Sequence, residues 1–88
     1  MAVAVIRIAV LMQINVTVLE DRPLFTDHAR TAGADRVICD TYERGLAQIP
    51  ADTDTYFVIV TRGHRYDQIC VERISHMPHA YIGMMGSR

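Results

Sequence analysis

The feature that most constrains this chain is a set of four short apolar runs, each separated from the next by a stretch with helical signals. Residues 14–19 (INVTVL), 36–39 (RVIC), 56–60 (YFVIV) and 80–82 (AYI) are rich in the β-branched and aromatic residues that strands favour. Residues 2–13 are apolar on almost every side, with Val5, Ile8, Ala9 and Met12 at helical spacing, and predict a helix buried over most of its surface. The Val and Ile content of that segment keeps a strand as the alternative. Residues 25–32 predict a short helix entered through Pro23 and closed by Gly33. A small helix over 42–49 is capped by Asp40 or Thr41 and stopped by Pro50. Ile69, Cys70, Arg73 and Ile74 mark a helix over 66–76, which Met77 and Pro78 end.

Strands that read as continuous apolar runs are expected to be covered on both faces, and the run at 56–60 is the clearest of the four. Helices and strands alternating in this way predict an α/β domain: a Rossmann-like parallel sheet flanked by helices, joined by right-handed connections. Eighty-eight residues allow one domain, residues 1–88. A chain this short buries only about 60–65% of its unfolded surface, so a second copy is a candidate source of added stability.

Composition removes several classes of function. A formal net charge of -1 and the lack of a basic run give no drive towards nucleic acid. All nine basic residues are Arg, which excludes a P-loop lysine, a Schiff-base lysine and a lysine general base. Cys39 and Cys70 are isolated, with neither zinc-ligand spacing nor a disulfide framework, and they point to a reducing cytoplasm. The apolar opening contains Arg7 and is too short to span a bilayer. No Ser/His/Asp arrangement or paired-carboxylate constellation is readable.

In open parallel sheets, ligands bind beyond the carboxyl ends of the strands, and three segments fall there. In the first, Glu20 closes its strand where dinucleotide-binding folds place a carboxylate on a ribose, with Asp21 beside it and Arg22 suited to a phosphate. In the second, Thr61, Arg62, Gly63 and His64 combine a hydroxyl, a guanidinium, a permissive glycine and an imidazole, with Tyr66 and Asp67 following. Gly63 is expected to approach a ligand closely or adopt positive φ, and Asp67 to serve as a helix cap. In the third, Gly83, Gly86, Ser87 and Arg88 offer backbone N–H groups and a guanidinium to an anion. Each segment has a plain structural alternative: a solvated strand-end turn, a strand-to-helix turn and a chain tail. Cys70 reads as a buried small hydrophobe, whereas Cys39 at a strand end is more open. His28, His76 and His79 read as surface residues.

The strings VTVLEDRPLF (16–25), GADRVICD (33–40), DTYFVIVTRGHRYD (54–67) and YIGMMGSR (81–88) together resemble the Rossmann-like carboxyl-terminal domain of the xanthine dehydrogenase accessory protein (XdhC/CoxI) family. The likeness spans the whole chain, and TRGHRYD followed by YIGMMGSR is its most specific part. It implies an accessory or chaperone module rather than an enzyme with its own turnover. Such a module binds molybdenum cofactor of the molybdopterin type, supports its sulfuration and delivers it to a hydroxylase such as xanthine dehydrogenase. A cysteine desulfurase is a further candidate partner. The contacts implied are Glu20, Asp21, Arg22, Thr61 to His64, Gly83, Gly86, Ser87 and Arg88. That family's domain opens with a strand and a glycine-rich, histidine-containing turn, and neither occurs here. The expectation is therefore an amino-terminally truncated domain lacking its central strand, in which the strands at Val16 and Tyr56 flank an empty slot and do not pair. Two other readings stay open: an NAD(P)-binding oxidoreductase fragment, weakened by the missing GxGxxG, and an interaction domain without a small-molecule ligand.

Overall fold

A computed structural model describes residues 3–60 and 63–84, with His64 described through its backbone alone. The elements alternate as the sequence predicts. Helix α1 (Val3–Leu11) leads to strand β1 (Thr17–Glu20), a 3₁₀ turn (Pro23–Phe25), α2 (Thr26–Thr31) and β2 (Arg36–Cys39). Then come α3 (Tyr42–Ala47), β3 (Tyr56–Ile59), α4 (His64–Ser75) and β4 (Tyr81–Met84). The chain divides into two compact units, residues 1–41 and 42–88. Each holds one parallel two-stranded ladder with helices against it, β1–β2 in the first and β3–β4 in the second. Among the described residues, β1 and β3 do not pair with each other.

In the first unit both helices end in the same way, and the endings set where the strands begin. Gln13 takes φ 61°, its N–H donates to Val10 O (2.9 Å), and Ile14 N–H donates to Ala9 O (3.0 Å). Gly33 takes φ 105°, its N–H donates to Arg30 O (3.0 Å), and Ala34 N–H donates to Ala29 O (3.2 Å). These are paired Schellman closures, one built on glycine and one on glutamine. Ile14 is spent on the first closure, so β1 starts at Thr17 rather than at residue 14. The entry to the ladder is then fixed by Asp35. Its Oδ2 accepts Val16 N–H (2.7 Å), and the Asp35 and Arg36 N–H groups both donate to Val16 O (2.9 and 3.2 Å).

The core of this unit is small: Ile6, Ala29 and Ala32, with Val3, Val16, Val18, Ala34 and Val37 packed around them. Helix α1 is therefore not covered on most of its surface, contrary to the sequence-based expectation. Ile6 is its one buried residue, while Ile8, Leu11 and Met12 are 58%, 83% and 65% exposed. A nine-residue helix packed on a single layer can bury one face only, and the alanines of α2 make that layer narrow.

In the second unit α3 packs on α4, and α4 packs on both strands. Tyr42, Leu46, Phe57, Ile59, Cys70 and Ile74 are buried. Asp52 Oδ1 accepts from Asp54 N–H (2.8 Å) and the Thr55 hydroxyl (3.1 Å), which shapes the turn into β3. Ala80 N–H donates to Thr55 O (2.8 Å) and so draws the start of β4 alongside. Strand β3 departs from the expectation of cover on both faces. Phe57 and Ile59 point inward, whereas Tyr56 and Val58 are 71% and 47% exposed. A continuous apolar run cannot reveal which faces are covered, and here the exposed side belongs to Tyr56, Val58 and their β4 partners.

Candidate functional site

The parallel register sets the carboxyl ends of two strands side by side within each unit. In the first, Glu20 pairs with Cys39, and Asp40 N–H donates to Glu20 O (3.3 Å), so the ends of β1 and β2 lie side by side. In the second, Ile59 pairs with Met84 as the last register position. The segments that leave β3 and β4 therefore start from the same end of that ladder.

At the end of β1, Glu20, Asp21 and Arg22 form a self-bonded turn. Glu20 Oε2 accepts Arg22 N–H (3.0 Å) and lies 3.5 Å from Arg22 Nε, which is itself 4.0 Å from Asp21 Oδ1. The guanidinium carbon sits 4.0 Å above the Phe25 ring, and Phe25 meets His28 edge-on at 5.9 Å. Ring and carboxylates thus hold the guanidinium in one pose, from opposite chemical causes. Two carboxylates beside one guanidinium leave the turn acidic, suited to a ligand's N–H or O–H donors more than to its phosphate. The Phe25 and His28 contribution was not readable in the sequence. It depends on the 3₁₀ turn that carries Phe25 back towards Arg22.

At the end of β3, Thr61 and Arg62 lie outside the described residues, as do Gly86, Ser87 and Arg88. Gly63 is the N-cap of α4, with φ −174° and ψ 158°. The expected positive φ is absent, because an N-cap takes the extended backbone open to any residue. Its carbonyl accepts the N–H groups of Tyr66 and Asp67, each at 3.1 Å. Asp67 lies in the first turn, where its charge complements the helix dipole, and it is not the N-cap expected of it. A Cβ at Gly63 would meet nothing within 4 Å among the described residues. His64 opens α4. The Tyr66 ring packs edge-on against Tyr42 at 5.5 Å and ties α4 to α3.

Gly83 pairs with Val58 inside β4. A Cβ there would fall 2.7 Å from Tyr81 Cε2, so the glycine makes room for the Tyr81 ring folded across it. Cys70 is buried, as the sequence suggests, and Cys39 is exposed. His28 and His76 are exposed, and His79 is half-buried with Nδ1 2.7 Å from Met77 O. Among the described residues no three His, Cys, Asp or Glu side chains gather as metal ligands, and no helix is long and apolar enough to cross a membrane.

Two clefts among the described residues lie away from the carboxyl ends of the strands. One of about 270 Å³ is lined by Val10, Gln13, Ile14, Asn15, Gly33 and Asp35, at the entry to the β1–β2 ladder. The other, of about 530 Å³, lies between α3 and the end of α4, with Leu46, Ile49, Arg73 and Met77 among its walls.

Parallel β-strands with helices against them, and polar loops leaving their carboxyl ends, define a Rossmann-like α/β domain. The family model of the XdhC Rossmann domain matches residues 1–88, and the chain belongs to that family. Comparison with curated proteins and with solved structures returned no match.

Proposed function

We propose that this chain is a cofactor-holding accessory module for the maturation of molybdenum hydroxylases such as xanthine dehydrogenase, and that its ligand is molybdenum cofactor of the molybdopterin type. The observation that carries the reading is the turn between β3 and α4. The amino end of a 12-residue helix opens at Gly63 in that turn, and helix ends of this kind receive anionic groups. The cofactor's phosphate fits that end. Thr61, Arg62, Ser87 and Arg88 would supply hydroxyl and guanidinium donors to it. The cofactor supplies molybdenum redox chemistry once it is in the client enzyme. The module's own residues bind it, orient it and limit water around it during transfer. A cysteine desulfurase fits as a second partner, because sulfuration needs a sulfur donor, and the cytoplasm fits as the compartment.

The test is equilibrium binding of the protein to molybdenum cofactor, NAD(H) and NADP(H) under anaerobic conditions, read by pterin and nicotinamide fluorescence. Cofactor retention without dinucleotide retention is expected. Tight dinucleotide binding alone would establish the oxidoreductase reading, for which Glu20 at the end of β1 is the supporting feature, and binding of neither would leave an interaction domain. Gly63→Val should weaken cofactor binding about 10-fold or more, roughly 1.4 kcal/mol. Its circular dichroism should stay unchanged, because extended backbone accepts valine.

A further inference from the structure

We propose that the cleft between α3 and the end of α4 binds a free α-amino acid with an apolar side chain, at the opposite end of α4 from Gly63. The inference stands apart from the cofactor reading, and every residue it uses lies within the second unit. The cleft measures about 530 Å³, a size that suits a small molecule. Its apolar wall consists of Leu46 from α3, Ile49 from the turn after it and Met77 from the end of α4. Leu46 is buried, and Ile49 and Met77 are half-buried. Glu43, Arg73 and His76 bring charge and an imidazole to the lining, and all three are exposed.

Local structure accounts for where these groups sit. Glu43 lies in the first turn of α3 and Arg73 in the last turn of α4, where each sign complements its helix dipole. Arg73 and His76, three residues apart, share one side of that helix end. Helix dipoles do not account for the lack of partners. Among the described residues, no ion pair or side-chain hydrogen bond engages any of the three. Glu43 and Arg73 thus border the same apolar wall without forming an ion pair across it. That arrangement suits a ligand that carries both signs on an apolar body, whereas a purely anionic ligand would meet Glu43 and a purely cationic one Arg73. An α-amino acid has the required form. Its carboxylate would accept from the Arg73 fork and from His76, and its ammonium would donate to Glu43. Its side chain would lie against Leu46, Ile49 and Met77, out of water.

Ligand-observed NMR titration of the whole chain tests the proposal, with phenylalanine as the probe. Phenylpropanoate lacks the ammonium, phenethylamine lacks the carboxylate and glycine lacks the apolar side chain, so each comparison removes one contact. Phenylalanine should bind with a Kd of roughly 1 mM, and the other three about 10-fold or more weakly. Arg73→Gln should weaken phenylalanine and phenylpropanoate and leave phenethylamine unchanged. Glu43→Gln should weaken phenylalanine and phenethylamine and should not weaken phenylpropanoate. Both positions are exposed, so far-UV circular dichroism should hold in each variant. Absence of phenylalanine binding overturns the proposal. So does binding that neither substitution alters, which would place the ligand elsewhere on the protein. Glycine binding as tightly as phenylalanine overturns it as well, because the apolar wall would then be unused.

Discussion

Gln13 and Gly33 close two helices with the same hydrogen-bond pattern, and they differ in what the left-handed backbone costs them. At Gly33, φ 105° is a conformation that side chains disfavour, and an added Cβ would meet Val10 Cγ2 at 3.2 Å. Gly33→Ala is expected to destabilise the protein by about 1–2 kcal/mol from the backbone alone, with the Val10 contact adding to it. At Gln13, φ 61° lies in the small left-handed region open to side chains and carries a lesser penalty in the wild type, so Gln13→Gly should stabilise by about 0.5–1 kcal/mol. Opposite shifts of the urea midpoint at unchanged slope would confirm both. Gly33 was legible as a helix stop because glycine is the usual residue there. Gln13 was not, because its left-handed backbone follows from how α1 meets β1. Gly63 shows the converse: a glycine read as either approaching a ligand closely or adopting positive φ takes extended backbone as the N-cap of α4.

Among the elements, β2 lies where its sequence places it, and α4 begins two residues early because Gly63 already supplies its N-cap. Strand β4 runs to Met84, beyond the apolar run, because Ile59 provides a ladder partner. Helix α4 holds the second unit through Cys70 and Ile74, four residues apart on one face, and Ile74 is only 2% exposed. Ile74→Ala should therefore cost about 2–5 kcal/mol, a large fraction of what so short a chain can hold. Loss of cooperative thermal unfolding by circular dichroism is the measurement. The faces of α1 and β3 were misread for one reason. Periodicity reports which residues are apolar, and cover depends on what else is present to lie against them.

For the whole molecule, each unit has a small core, and among the described residues no side chain is fully buried. The order of elements, the strand-end position of Glu20, the place of Gly63 ahead of α4 and the burial of Cys70 were determined by the sequence, because propensity, capping and turn chemistry act over a few neighbouring residues. Tertiary structure alone decided which face of α1 is dry, the stacking of Arg22 on Phe25 and the exposure of Tyr56 beside Tyr81. Those depend on which surfaces meet in space, and no local pattern carries that information.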